Sequence, residues 1–425
     1  MLLTIEKLVY GGDGLARSEP GPDGRSQAIF VPFVLPEERV EAHMVEQKPG
    51  FQRAVLDQVL EPSALRKTPL CPYFEQCGGC HYQHTTYESQ LAAKASILAE
   101  TLQRIAKVEL KVPLQIHPSP PLQYRNRTRF QVRREPQFVA GLYRPGSHEV
   151  LKVEECPISS PLINRGLSWL QNAGQASFPA GVSEVEFFAN AEDSEMLVEL
   201  AMDETADRWR VRAWVDQMRV DLPRVIGAMA FVKFEEDAQP LAVGASELVY
   251  RTDHASLRVA AGAFFQVNRH MVDKLVEVVT REEKGEAALD LYAGVGLFSS
   301  ALAGGFRHIW AVEPSPTAHG SLFYNAPSNV KVVRARTEEY LENMPGLRKP
   351  ELVVVDPPRS GLGKTVVKAL AALHPPRLTY VSCDPATLAR DLGPLLVAGY
   401  QVEQAHLLDM FPQTFHMETV LHLKR

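Results

Sequence analysis

The chain has 425 residues, 45% hydrophobic and 23% charged. It is too long for a single ordinary domain of ~100–200 residues and apolar enough to bury large cores. Its formal net charge of −6 excludes a general polyanion binder that works by charge alone, while leaving room for local basic stretches.

The N-terminal run Met1-Leu2-Leu3-Thr4-Ile5-Glu6-Lys7 carries an early acid and no apolar core of a signal peptide. No apolar run approaches the ~20 residues that cross a bilayer, and five cysteines cannot all pair. These features predict a cytoplasmic chain with reduced thiols and no membrane partner. Residues 1–60 predict a small β unit, with turns at Gly11-Gly12-Asp13-Gly14 and Gly21-Pro22-Asp23-Gly24 and successive strands over 28–34 and 38–45. Five or so such strands suit a small barrel of the oligonucleotide-binding kind, or equally a plain β module.

Residues 61–84 hold Cys71, Cys77 and Cys80, and Cys156 follows in Glu154-Glu155-Cys156-Pro157. Four thiolates at short, Gly-interrupted spacing suit one iron–sulfur cluster or one zinc, and spacing alone does not choose between them. From 87 to 105 the pattern is helical, with Leu91, Ile97, Leu98, Leu102 and Ile105 near a 3.6 period. Pro113, Pro118, Pro120 and Pro121 then interrupt the chain, and 122–250 alternates strands and turns. Inside that stretch stand Arg125, Arg127, Arg129, Arg133, Arg134 and Arg144, against one acid, Glu135. Six arginines less one acid leave a local excess of +5, a candidate surface for phosphates, with a solvated strand face as the plain alternative.

After Asp253, strand-like runs at 287–291, 308–313, 330–333, 351–355 and 377–382 alternate with helical segments. That rhythm predicts a doubly wound, largely parallel sheet. The first strand runs into Tyr292-Ala293-Gly294-Val295-Gly296, a tight glycine turn at which backbone can approach a ligand. A third glycine is absent, since position 299 is Ser, and Glu313 falls at the end of the next strand, where an acid can accept from ribose hydroxyls. The combination suits S-adenosylmethionine, which has no pyrophosphate, better than a dinucleotide. Asp356 ends a third strand at the same edge, before Pro357-Pro358. Cys383 ends the fifth strand and precedes Asp384-Pro385, where a helix N-terminus is expected to stabilise its thiolate. Glu418 lies among apolar residues that would raise its pKa toward that of a general base, while His416 and Glu418 taken alone read as outward-facing polar residues of a strand.

Three long motifs carry a resemblance: Asp356-Pro357-Pro358-Arg359-x-Gly361, Tyr380-Val381-Ser382-Cys383-Asp384-x-x-Thr387, and Asp409-x-Phe411-Pro412-Gln413-Thr414-x-His416-Met417-Glu418. With Phe264-Phe265-Gln266-Val267-Asn268, the chain resembles the RNA 5-methyluridine methyltransferase family, in its iron–sulfur, TRAM-bearing 23S rRNA form. Leu297 and Arg336-Thr337 depart from residues common in that family around the cofactor.

The resemblance implies an α/β Rossmann-like S-adenosylmethionine methyltransferase domain over 85–118 and 251–425. It implies a TRAM β-barrel over 1–60, and a central, mainly β domain over 61–84 and 119–250. Gln266, Tyr292, Gly294, Gly296, Glu313 and Asp356 would bind the cofactor, and Cys71, Cys77, Cys80 and Cys156 would hold a [4Fe–4S] cluster. Cys383 would add to uracil carbon 6 and Glu418 would remove the carbon 5 proton. An aromatic face such as Phe264 or Phe265 would hold a base flipped from its stack, with core packing the fate of at least one of them. The implied partner is RNA, 23S rRNA ahead of the tRNA T-loop, met by a monomer. A non-catalytic iron–sulfur RNA-binding protein is the alternative, against which Cys383, Asp356 and Glu418 all stand. A DNA cytosine methyltransferase is a third reading, but there a Pro-Cys loop is expected and here Ser382 precedes the cysteine.

Overall fold

A computed structural model describes residues 1–20, 25–172, 174–233, 238–281, 283–344 and 349–425. The turn expected at Gly21-Pro22-Asp23-Gly24 lies outside the described residues.

The N-terminal segment forms a six-stranded sheet in the spatial order Leu2–Thr4, Arg39–Lys48, Phe51–Glu61, Ala28–Val31, Gly14–Arg17, Lys7–Leu8. It curls around Ile5, Ile29, Val31, Val34, Val40 and Ala54. The two edge strands are three and two residues long and do not pair with each other, so the unit is a half-barrel and not a closed one.

A second sheet of seven strands runs Val150–Lys152, Val139–Tyr143, Arg127–Arg133, Val182–Ala189, Met196–Met202, Val225–Val232, Leu241–Gly244. Two helices, Pro161–Gln171 and Arg208–Asp221, cover it, where strands and turns alone were expected. The helical signal was present in the sequence: Val211, Trp214, Val215 and Met218 follow i, i+3, i+4, i+7, and Asp207 caps the amides of Trp209 and Arg210.

The third sheet has eight strands in the order Val330–Val333, Phe306–Val312, Gly285–Leu291, Leu352–Val355, Arg377–Ser382, Glu418–Lys424, Gln401–Leu408, Leu114–His117. The first five are parallel, and Glu418–Lys424 is antiparallel to both its neighbours. Alternation sends Ala288, Val354, Val381 and Val420 to one face, under helix Val272–Thr280. Leu289, Val353, Tyr380 and Leu421 go to the other, under helices Tyr87–Thr101, Gly363–Leu373 and Pro385–Val397. Buried on both sides, these strands read as continuous apolar runs.

Helix Tyr87–Thr101 departs from its expected stripe. Its buried residues are Gln90, Lys94, Ile97 and Leu98, while Ile105, in the π-helical turn Leu102–Ala106 that follows, is exposed. Lys94 is buried because its ammonium finds Asp409, a partner more than 300 residues away in sequence. Among the described residues no helix is long and apolar enough to cross a membrane.

Candidate active site

Sheet register assembles the site. Leu291 is level with Val312 on one side and Val355 on the other, so Tyr292, Glu313 and Asp356 emerge in a row at the carboxyl edge. Ser382 pairs with Thr419 in the antiparallel ladder, so the next residues out, Cys383 and Glu418, face each other across adjacent strands. The edge is where open α/β sheets bind ligands. The strand around Glu418 begins at that residue, so His416 belongs to the preceding loop and not to a strand face.

The glycine turn is shaped for close approach. Gly294 has φ +56 with open space where a Cβ would stand, and Gly296 has φ +96 with Leu322 Cδ1 2.8 Å from that point. One Glu313 oxygen accepts from the Gly294 amide at 2.9 Å and the other from the Ser315 amide at 2.8 Å, which ties the acid to the turn. Below the turn, Asp290 is fully buried against the Ser299 hydroxyl, and burial pushes its carboxyl up to about 7. Gln266 is buried in the loop after strand Ser256–Ala260, its carbonyl taking the Asn126 side-chain amide at 3.2 Å.

The electrostatics at Cys383 differ from the expectation. Asp384 caps helix Pro385–Val397 by accepting from the Ala386 amide at 3.0 Å and the Thr387 amide at 2.9 Å, so those donors serve its carboxylate and not the thiolate. Burial, followed by the charges of Glu418 and Asp356, pushes the thiol up to about 12. Cys383 is therefore protonated in the free protein. Glu418 is 4% exposed, and burial with the neighbouring Asp356 charge holds its carboxyl well above the ordinary range. Asp356 is raised to about 7 by desolvation.

The structure adds Tyr10, His81 and Phe415, which no motif reading supplied, beside His416. Tyr10, from the N-terminal half-barrel, donates its hydroxyl to the Cys383 carbonyl at 3.3 Å and lies edge-on to Phe415 at 5.4 Å between ring centroids. Phe415 in turn meets His81 at 4.7 Å and His416 at 4.1 Å. Burial lowers both histidines to about 4, so they are neutral rings at physiological pH. An aromatic wall made by chain segments so far apart leaves no local pattern to read.

Cys71, Cys77, Cys80 and Cys156 line one cavity of about 790 Å³, between the half-barrel and the seven-stranded sheet. All four are free thiols. Burial pushes Cys77 up to about 11 and raises Cys71 and Cys80 as well, each also repelled by the neighbouring Cys156. Among the described residues, no three His, Cys, Asp or Glu side chains are arranged to hold a single metal ion. The four thiols surround a shared space instead.

The arginine run is less free than its sequence suggests. Strand Val182–Ala189 lies antiparallel to it, with Glu186 level with Arg129, and Glu199 arrives from the strand beyond. Arg127 is paired with Glu186 and Glu199, donates to the Ala263 carbonyl at 2.6 Å, and stacks on Phe188. Its guanidinium is committed to holding the loop that carries Phe264, which corrects its placing among phosphate contacts. Arg129 bonds Glu186 at 2.8 Å and Arg125 donates to the Arg127 carbonyl at 2.8 Å. Arg133 and Arg134 are exposed, as is Phe264 at 67%.

Comparison with known proteins gives this edge its context. Residues 86–425 match the family model tRNA (Uracil-5-)-methyltransferase. A 23S rRNA (uracil(1939)-C(5))-methyltransferase of Pseudomonas savastanoi pv. phaseolicola is 33% identical, over 98% of this chain and 92% of its own. An uncharacterized RNA methyltransferase of Aquifex aeolicus is 32% identical over 99% and 98%. The chain belongs to the tRNA (uracil-5-)-methyltransferase family. Its fold matches the crystal structure of Pyrococcus abyssi tRNA (uracil-54, C5)-methyltransferase in complex with S-adenosyl-L-homocysteine, with TM-score 0.76 and 23% identity over 100% of both chains. It is an RNA (uracil-5-)-methyltransferase with the fold of S-adenosylmethionine-dependent methyltransferases. In this methyltransferase the family match takes in Cys383, Glu418 and Cys156, while Cys71, Cys77 and Cys80 precede it.

Proposed function

We propose that this chain methylates carbon 5 of a uridine in 23S rRNA, with Cys383 as nucleophile and Glu418 as proton acceptor. The observation that carries the reading is the antiparallel register that sets Cys383 and Glu418 opposite each other beyond Ser382 and Thr419. The 33% identity to a 23S rRNA methyltransferase over nearly the whole chain supports rRNA as the substrate.

The open space at Gly294 and the acid at Glu313 suit S-adenosylmethionine, which when bound supplies an electrophilic methyl group. Tyr292, Gly294, Gly296, Glu313, Asp356 and Gln266 are the residues assigned to hold it. The chain's own residues do the rest. Cys383 loses its thiol proton to solvent, its sulfur bonds uracil carbon 6, and the carbon 5–carbon 6 π electrons pass to the carbon 4 carbonyl as an enolate, which makes carbon 5 nucleophilic. After methylation Glu418 takes the carbon 5 proton, the carbon–sulfur bond breaks, and the thiolate departs. Desolvation of Glu418 makes its carboxylate a stronger base than one in water.

The four cysteines are assigned to a [4Fe–4S] cluster on the family resemblance and on their lining one cavity, although no three of them are arranged to hold a metal ion. Methyl transfer needs no electron, so the cluster's part is structural. Residues 1–60 serve as a TRAM-like RNA-binding unit, 61–84 with 119–250 as the cluster domain, and 85–118 with 251–425 as the catalytic domain. Exposed Arg133, Arg134 and Phe264 are the RNA contacts, joined by Arg125 and Arg129 at the cysteine cavity.

Tritium release from uracil-5-labelled RNA tests the activity. Cys383→Ala is expected to abolish release while a filter-binding assay still detects RNA binding. Glu418→Gln is expected to accumulate a covalent protein–RNA adduct on a denaturing gel, and a clean gel would remove Glu418 as the base. Mapping 5-methyluridine in rRNA and tRNA of a deletion strain separates the two RNA classes.

A further inference from the structure

We infer that Gln413 is a positioning residue for Glu418, held by Gln90 and by the two residues that follow Cys80. The inference rests on the reading of Glu418 as the proton acceptor and adds how that carboxylate is kept in place.

Gln413 has φ +68, a left-handed conformation that is strained for a residue with a Cβ and persists only where its surroundings enforce it. Here they do. Its carbonyl accepts from the amides of His81 at 2.8 Å and Tyr82 at 3.0 Å. Its own amide donates to Gln90 Oε1 at 3.0 Å, and its side-chain Oε1 accepts from Gln90 Nε2 at 2.9 Å. Gln90 Nε2 also donates to the Tyr82 carbonyl at 3.0 Å, closing a ring of hydrogen bonds. Gln90 is wholly buried and Gln413 is 6% exposed, so water does not compete for these bonds.

The six residues from Gln413 to Glu418 are then braced. Thr414 Oγ1 donates to the Phe411 carbonyl at 2.9 Å and accepts from the His416 amide at 3.2 Å. Phe415 is wedged among Tyr10, His81 and His416. The Gln90–Gln413 pair therefore fixes where the strand starting at Glu418 begins, and with it the distance from the carboxylate to carbon 5.

The two halves of the reaction depend differently on that placement. Adduct formation makes the bond from Cys383 sulfur to carbon 6 and does not call on Glu418. Release does: Glu418 takes the carbon 5 proton, those electrons restore the carbon 5–carbon 6 double bond, and the sulfur leaves with the electron pair of the broken bond. A misplaced base slows only the second half, and a displacement on the scale of 1 Å costs up to about 100-fold.

The experiment uses the full chain with S-adenosylmethionine and uracil-5-tritiated RNA, for wild type, Glu418→Gln, Gln413→Met and Gln90→Met. Tritium release and the steady-state fraction of covalent adduct are both read, with melting curves to identify folded variants. In a folded Gln413→Met or Gln90→Met protein, release is expected to fall about 10–100-fold while the adduct fraction rises above wild type. Adduct and release falling together would mean a general structural role and would overturn the inference, as would wild-type values of both. If neither variant folds, the pair is structural and the inference falls too. Failure of Glu418→Gln to trap adduct would instead sink the underlying assignment of the base.

Discussion

At Cys383 the local charges oppose the nucleophilic chemistry proposed for it. After burial, three carboxyl groups, Glu418, Asp356 and Asp384, raise the pKa of the thiol, and the Arg359 guanidinium opposes them. A nucleophile kept protonated until substrate enters is protected from alkylation and oxidation, which act on the thiolate. Asp356 shows the same desolvation as a dependence of stability on pH. Its folded-state pKa of about 7 lies above the ordinary 3.8, so the folded protein binds the proton more tightly than the unfolded chain. That contribution is fully present below 3.8 and is lost as pH rises through about 7. Asp356→Asn, which keeps the shape without the charge, is therefore expected to melt higher than wild type at pH above 7, with the gap closing toward pH 4. Equal gaps at both ends, measured by thermal melting in matched buffers, would contradict the assignment. This shift was not legible in the sequence, because the acid's only sequence neighbours are Val355 and Pro357 and the second carboxyl comes from residue 418.

Among the elements, helix Tyr87–Thr101 and the loop from Asp409 to Met417 carry the most consequence for the site. Lys94 and Asp409 are both fully buried, 2.6 Å apart, and Lys94 also donates to the Phe411 carbonyl at 3.0 Å. Asn268 adds a bond to the Met410 carbonyl at 3.2 Å, and Tyr124 one to the Pro412 carbonyl at 3.0 Å. Lys94→Met leaves Asp409 as an unpaired buried charge and is expected to cost about 3–5 kcal/mol in urea unfolding. Lys94→Met with Asp409→Leu should recover most of that loss, because the uncompensated charge is gone. No recovery in the double variant would show that the cost lies in packing. A helical wheel drawn from the sequence places Leu91 and Ile105 toward the core and has no reason to bury a lysine. Hydrophobic periodicity finds the helix, yet which face is inside depends on a partner from the far end of the chain. The same limit explains Arg127, whose carboxylate partners lie on neighbouring strands that register alone brings alongside.

In the whole molecule, the half-barrel, the cysteine segment and the seven-stranded sheet meet around one cavity, lined by Phe33 and Arg53 from the first and Tyr143 and Cys156 from the last. The half-barrel also gives Leu8 and Leu35 to the core beneath the eight-stranded sheet. A group bound by the four cysteines would tie these parts together, since ligation energy becomes folding energy when the ligands come from separate segments. Protein isolated without oxygen is expected to contain about four irons per chain, the number in a [4Fe–4S] cluster. Removal of the metal with a chelator should increase protease cleavage within residues 61–84 before cleavage in the eight-stranded sheet. Stoichiometric zinc in place of iron, or an unchanged cleavage order, would count against this account. The strand–helix alternation after Asp253, the glycine turn and the position of Cys383 at a strand end were determined by the sequence alone, because period and turn chemistry are local. Tertiary structure decided the rest. Sheet order and register put residues 292, 313, 356, 383 and 418 on one edge, closed the glutamine ring behind Gln413, and turned a basic stretch into a partly neutralised one. Each is a contact between segments far apart in sequence, where desolvation and Coulomb interactions depend on distances that no local pattern encodes.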